Sequence, residues 1–306
     1  MKYLIILLLL PLVGCVSTST KTNEKSEFYV KNINAESIEE SGGLFSASCP
    51  KNKTDLKDKD WNTMLEMAND CVKDRSWSTL NLVADKLSIM APLSPWGPYY
   101  LSLYEEQRSN FDKAHWLIDL ALKKTPNFGM LYYQKARIHW SQGNKVEAIS
   151  LTQKSLELDN RIKSAHFFLA NIYLSESEYS KALSHYDYLN KKGISNKNVV
   201  LGMAESLYRL NKMKQAQPFL KKSLSVKKNN FDLMLMYAES LEATEDTVKE
   251  ALNMYKDLYK MSQSNTKYSH KKEHFKMKID QFDKKIAQLE AAKRDVSSTD
   301  NKGGQQ

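Results

Sequence analysis

Between residues 61 and 264 the chain is a succession of amphipathic stretches separated by short polar turns. The segment SQGNKVEAISLTQKSLELDN, 141–160, reads as helix–turn–helix, with Gly143-Asn144 at the turn. The pattern recurs along the chain. Ala114, Ala148, Ala182 and Ala216 stand 34 residues apart, and so do Ala68, Ser102, Ala136, Ala170, Ala204 and Ala238. Small residues at such fixed intervals mark places where paired helices cross, because only a small side chain lets two helix axes approach to ~8–10 Å. Six units of paired helices, A and B, are in register: 61–94, 95–128, 129–162, 163–196, 197–230 and 231–264.

A 34-residue period of helix pairs, small at unit positions 8 and 20, resembles the tetratricopeptide repeat. The resemblance implies an all-α solenoid of about six repeats. Larger residues fill in around the crossings, with Leu101, Leu169 and Tyr237 at position 7 and Ile118, Tyr186 and Leu220 at position 24. Pro92 and Pro126 fall at position 32, where they stop helix B. The first unit departs from the pattern, with Leu80 at position 20. The sixth slips by one residue, so that Ala251 takes the small position, and its turn is the polar run ATEDTVKE. Pro98 is expected to delay the second unit's helix A, and Pro218 to sit early in the fifth unit's helix B.

After 264 the pattern changes. Residues 265–296 read as one long helix on which Phe275, Ile279, Phe282, Ile286 and Leu289 form a stripe. A helix with one apolar face suits the open end of a solenoid, which needs a cap. The same spacing is heptad-like over two heptads, so a homodimer through this helix is the alternative. Residues 297–306 read as a disordered tail.

The other end is different in kind. Lys2 precedes a continuous apolar run, and the run to Val13 is far shorter than the ~20 residues needed to span a bilayer. It fits the hydrophobic region of an export signal, and the tetrapeptide Leu12-Val13-Gly14-Cys15 resembles a bacterial lipobox. That resemblance implies a signal peptide over 1–14, cleavage before Cys15 and lipid on its sulfur and new amino group. With Val rather than Asp at position 16, it implies the outer membrane, facing the periplasm. Residues 15–48 read as a flexible tether, and about 30 residues of coil span roughly 30 Å. An oxidising compartment allows a Cys49–Cys71 disulfide, which would pin the tether to the first helix. Two free buried thiols are the alternative.

Composition narrows the functional classes. Apolar residues make up 42% and charged residues 26% of 306, and the net charge is +9. The lysines are scattered and no nucleic-acid module is present, so the excess reads as a solvated surface with no nucleic-acid partner. No phosphate-binding loop, dinucleotide fingerprint or nucleophile elbow occurs, and no CxxC or zinc-ligand spacing accompanies the six histidines. His139 and His166 fall on packing positions, and His270 and His274 flank lysines in HKKEH. The chain reads as a non-enzyme with no catalytic residue, cofactor or metal.

Resemblance to the repeat family implies a groove lined by helix A at positions 2, 5, 9 and 12. Its middle is aromatic: Tyr99, Tyr133, Trp140, Phe167 and Tyr208, with Arg137 and Asn171 as polar groups able to fix a peptide backbone or carboxylate. Position 5 is apolar throughout, unlike the lysine- and asparagine-bearing chaperone clamps of the family. Lipobox, tether and six repeats together resemble the lipoproteins of pilus biogenesis, the type IV pilus pilotin and the tight-adherence pilus lipoprotein. The expected role is a scaffold for pilus or secretin assembly that holds a protein partner in the groove. The alternative is an envelope adaptor for peptidoglycan enzymes or outer-membrane assembly factors.

Overall fold

The computed structural model describes residues 49–50 and 56–300, side chains excepted at 245 and 293–300. The expected signal peptide, the lipobox-like segment with Cys15, the expected tether and the last six residues lie outside the described residues. Among those described there are thirteen α-helices and no strand. Six hairpins follow one another: α1 (Trp61–Lys73) and α2 (Trp77–Met90), α3 (Trp96–Gln107) and α4 (Phe111–Lys124), α5 (Gly129–Ser141) and α6 (Lys145–Leu158), α7 (Lys163–Ser175) and α8 (Tyr179–Lys191), α9 (Lys197–Arg209) and α10 (Met213–Val226), α11 (Phe231–Leu241) and α12 (Val248–Ser264). Helix α13 (Lys272–Asp300) closes the series. No described helix is long and apolar enough to cross a membrane.

The small residues sit where the period places them. All six residues at position 8 and Ala114, Ala148, Ala182, Ala216 and Ala251 have 0% exposure. Here the helices of a hairpin touch through backbone and methyl groups, so a larger residue such as leucine would overpack the crossing by about 1–3 kcal/mol. Leu80 holds the same place in the first hairpin and is equally buried.

A second periodicity lies in the backbone. Arg75, Ser109, Gly143, Ser177 and Asn211 are 34 residues apart, and each has φ between 55° and 84°. Each follows helix A in the left-handed conformation that ends a helix. The next residue closes the turn with an N–H bond five residues back: Ser76 to Cys71, Asn110 to Glu105, Asn144 to His139, Glu178 to Tyr173 and Lys212 to Leu207, at 2.8–2.9 Å. Only Gly143 is free of the steric cost of that conformation. In the sixth hairpin the polar run forms a 3-10 turn, Glu245–Thr247, tied by Thr247 Oγ1 donating to the Leu241 carbonyl at 2.6 Å. This turn absorbs the one-residue slip.

Both prolines are accommodated within their helices. Helix α3 starts at Trp96, one unit position later than the other A helices, and Pro98 stands in its first turn, where the N–H groups lack intrahelical partners anyway. Pro218 lies in the second turn of α10, exposed, and removes one intrahelical bond on the solvent side.

The ends are closed by different means. Cys49 and Cys71 form a disulfide, with Cα atoms 4.7 Å apart, that fastens the residues preceding α1 against its last turn. At the other end the expected single helix from 265 begins instead as a 3-10 segment, Thr266–Lys271, capped by Asn265, whose side chain accepts from the Lys267 N–H at 3.0 Å. Tyr268 in that segment stacks on Phe231 at 3.6 Å, and this docking bends the chain before α13 starts. Helix α13 then continues through Asp300, past the expected boundary at 296. Its stripe is turned inward: Phe275 and Phe282 are buried, and Ile279, Ile286 and Leu289 pack on the same cluster as α11 and α12. The face a dimer seam would use is thus occupied within the chain.

Candidate functional site

Helix A of each hairpin lies beside helix A of the next, and polar bonds stitch them. Tyr100 of α3 donates to Asn69 of α1 at 2.7 Å, Arg137 of α5 pairs with Glu106 of α3, and Tyr208 of α9 donates to Glu239 of α11. The last two bonds join unit position 12 to position 9 of the next unit, two of the positions expected to line the groove. The row of A helices is therefore one continuous face, and several residues proposed to meet a partner also hold that face together.

The middle of the row is built around α5. Arg137 Nη2 lies 3.3 Å from Glu106 Oε2, and Nη1 donates to Gln134 Oε1 at 3.2 Å. Gln134 Nε2 donates back to Glu106 Oε2 at 2.9 Å, and the Ser141 hydroxyl to Oε1 at 3.1 Å. The ion pair is buried, with side-chain exposures of 9% and 5%, so the guanidinium is spent inside the protein. Burial is the largest influence and works against its charge, but Glu106 together with Tyr133 and Tyr99 outweighs it and holds the pKa above the ordinary value. Tyr99 and Tyr133 stand in the field of the same pair. Burial pushes the Tyr99 hydroxyl up to about 12, and burial likewise raises Tyr133. Both are neutral hydrogen-bonding groups at any physiological pH.

Around this knot the aromatic side chains interlock. Tyr133 and Trp140 each meet Phe168 of α7 edge-on, at 5.8 and 5.7 Å, and Lys145 Nζ sits 5.9 Å from the Trp140 ring centre. Phe167 meets Tyr186 of α8 at 6.4 Å. Asn171 is closed off as well: its Nδ2 donates to the Phe167 carbonyl at 2.7 Å, and its Oδ1 accepts from the Tyr186 hydroxyl at 3.0 Å. The structure thus separates the expected site residues into two sets. Tyr133, Arg137 and Asn171 are buried, while Tyr99, Trp140, Phe167 and Tyr208, all on A helices, are half-buried.

Farther along, the face turns acidic. Glu205 on α9, Glu239 on α11 and Glu242 at the C-cap of α11 are half-buried, with Arg209 3.9 Å from Glu205. Tyr208 donates to Glu239 and Tyr255 to Glu242, while Lys278 of α13 lies 2.7 Å from Glu242. Burial, followed by the carboxylate that accepts its hydroxyl, raises the pKa of each of these tyrosines. The groove positions 9 and 12 read from the sequence include Glu239 and Glu106, but not as partners of Tyr208 and Arg137, and they leave out Gln134 and Phe168, both at position 6. The signal was present in the pairing of positions 12 and 9 across neighbouring units.

The histidines form packed pairs. His166 Nδ1 lies 2.9 Å from His185 Nδ1, and His166 Nε2 donates to the Asn160 carbonyl at 2.9 Å. The rings of His115 and His139 meet at a tilt of 58°, with centres 4.6 Å apart. Among the described residues no group of three or more metal-type ligands converges.

Comparison with known proteins agrees with this architecture. Residues 131–161 match the model of a tetratricopeptide repeat. No curated protein matches the chain in sequence. Among solved structures, the chain is similar to pilF of Pseudomonas aeruginosa at 14% identity and a TM-score of 0.53, over 69% of this chain and 95% of that one. A chain of the Cut9–Hcn1 hetero-tetramer of the APC/C gives 17% identity and a TM-score of 0.49 over 72% of this chain. The match spans only 44% of the length of that relative. The C-terminal part of a TPR repeat-containing protein from Cytophaga hutchinsonii gives 16% identity and 0.49, over 74% of this chain and 95% of that one. At these identities the likeness concerns the fold.

Proposed function

We propose, from the premise that the chain is a tetratricopeptide repeat protein and so a scaffold for protein–protein contacts, that it is a non-enzymatic lipoprotein of the outer membrane. It holds a partner segment on its A-helix face and serves the assembly of an envelope machine of the pilus or secretin type. The observation that carries the binding role is the row of half-buried rings, Tyr99, Trp140, Phe167 and Tyr208, on four successive A helices. Such rings are pre-positioned by packing beneath and retain open surface above, as hot-spot residues do. Their underside is fixed by Phe168, Tyr186 and the Glu106–Arg137 pair, so little order has to be gained on binding. The acidic stretch at Glu205, Glu239 and Glu242 favours a partner segment with basic residues toward the C-terminal end of the row.

The membrane placement is supported by the lipobox-like Leu12-Val13-Gly14-Cys15 and by the Cys49–Cys71 disulfide, which fits an oxidising compartment. Two acyl chains on Cys15 would anchor the chain stably, at ~0.8 kcal/mol per buried CH₂. The pilus role is supported by the layout of signal, tether and repeats.

Affinity capture from envelopes of the host tests the reading. Trp140→Ala with Phe167→Ala is expected to weaken partner binding by at least ~2 kcal/mol, about 30-fold, with helical content preserved. Trp116→Ala, on an exposed helix B position, is the control that leaves binding intact. Retained binding by the double variant moves the site off the aromatic row. Capture of peptidoglycan enzymes in place of secretin subunits moves the role from pilus assembly to envelope adaptor. Cys15→Ser is expected to remove metabolic labelling by a palmitate analogue, and labelling that persists rules out this anchor.

A further inference from the structure

A cavity of about 450 Å³ lies between the fifth and sixth hairpins. It is walled by Val200 and Leu201 of α9, Val226 of α10 and Leu233 of α11, and rimmed by Lys197, Lys222 and Lys227 with Ser195, Asn198 and Ser223. The preceding repeat shows why it is open. In the fourth unit, positions 26, 27 and 32 are Tyr188, Leu189 and Ile194. Leu189 is fully buried there, Tyr188 and Ile194 pack on the same cluster, and Tyr188 stacks on His166 at 3.8 Å. In the fifth unit the same positions are Lys222, Ser223 and Lys228, and Val200 stands where the fourth has His166. Three apolar fillers are replaced by two lysines and a serine, while the apolar wall is kept. The serine hydroxyl is turned back to the Phe219 carbonyl at 2.8 Å and does not reach across the space.

The third unit handles this junction differently. There Gly129, at position 1, lets helix A approach its own helix B: a Cβ on it would lie 2.6 Å from the Ser155 carbonyl oxygen. The fifth unit has Lys197 in place of that glycine, so the helices stay apart and nothing fills the gap.

We infer that this cavity is a binding site for a small amphipathic anion: a carboxylate carrying an aliphatic group. The aliphatic part would occupy the space that Tyr188, Leu189 and Ile194 fill one repeat earlier. The carboxylate would lie at the lysine rim. No acidic side chain lines the cavity, and neither Lys197 nor Lys222 makes an ion pair among the described residues. Its volume falls within the range of small-ligand pockets, ~300–1,000 Å³, and its lining is mainly apolar with a few polar groups, as such pockets are. Two sources present this chemistry, a free medium-chain acid and the C-terminal leucine, isoleucine or valine of a polypeptide.

Titration of the purified full chain, followed by amide shifts in nuclear magnetic resonance, tests the site. Octanoate is expected to shift the Val200, Leu201 and Leu233 amides saturably, with octanol weaker by about tenfold or more because the lysine rim has no charge to meet. Lys197→Ala with Lys222→Ala should weaken octanoate by a similar factor. Lys222→Tyr with Ser223→Leu restores the fourth unit's filler and should abolish binding with thermal stability held or raised. Lys222→Tyr alone, at an exposed position, should weaken it severalfold and serves if the double variant does not fold. An N-acetylated leucine that binds more tightly than octanoate identifies a chain terminus as the source, and the reverse identifies a free acid. Equal binding of octanol, undiminished binding by the filled variants, or no saturable shift with either acid would overturn the inference.

Discussion

Two bonds occupy the same pair of repeat positions in the two halves of the A-helix face. In the first half, position 12 of one unit and position 9 of the next are Glu106 and Arg137, an ion pair closed over by Gln134 and Ser141. In the second half they are Tyr208 and Glu239, a neutral hydroxyl donating to a half-buried carboxylate. The geometry of the repeat is shared, yet the consequences differ. The first pair has been withdrawn from solvent and fixes the underside of the aromatic row. The second leaves negative charge at the surface. A solenoid of equivalent units can therefore divide its face into a rigid apolar platform and an acidic stretch by changing what fills one stitching position.

The largest effect tests that division directly. Glu106→Ala leaves a buried guanidinium without its partner and is expected to cost ~3–5 kcal/mol in urea denaturation. Glu239→Ala removes a partly exposed acceptor and should cost ~1 kcal/mol or less. Equal losses would show that the two bonds are equivalent in spite of their different burial.

A second test lies at the seam between the halves, where His166 and His185 share a hydrogen bond. Burial, and then the neighbouring His166, push the His185 imidazole down to about 4, below its ordinary value of 6.5, and burial lowers His166 as well. Between those values the unfolded chain binds the proton that the folded chain refuses. The stability contributed by the neutral ring is thus complete above about 6.5 and is lost as pH falls toward 4. The melting temperature should decline over that window. His185→Gln should flatten the decline, and an unchanged slope would remove this pair as its source.

The smallest effect concerns the turns, which are common to both halves. Ser109 and Ser177 hold φ of 58° and 63°, where only glycine is unstrained. Ser109→Gly and Ser177→Gly are each expected to raise stability by about 0.5–1 kcal/mol, the relieved strain being partly offset by the greater freedom of the unfolded chain. Loss of stability at either site would mean that the serine side chain matters more than the backbone strain.

Much of this was legible beforehand, for identifiable reasons. The alanine ladder is a contact requirement that repeats with the unit, so the register could be read from Ala114 to Ala216 without any coordinates. The stripe from Phe275 to Leu289 announced a helix with one buried face, though spacing alone could not say whether that face met α12 or a second chain. The aromatic row was placed on the correct helices. Its division into buried and half-buried members was not visible, because Tyr133 and Phe167 occupy the same repeat position and differ only in what the neighbouring helices put beside them.

By itself, the sequence determined the period, the pairing of helices and the face on which each large residue stands, since these follow from helical geometry and local size. Only the tertiary structure decided which polar groups remain for a partner. Arg137 is consumed by Glu106, and Asn171 by Tyr186 and its own helix, because a buried charge or amide must find a partner from whichever helix is nearest. That neighbour lies 31 residues away in the chain for Arg137 and 15 for Asn171, and it is brought within reach only when the hairpins stack. The same holds for the cavity beside Ser223: the residues that fail to fill it are plain in the sequence, but the space exists only between packed helices.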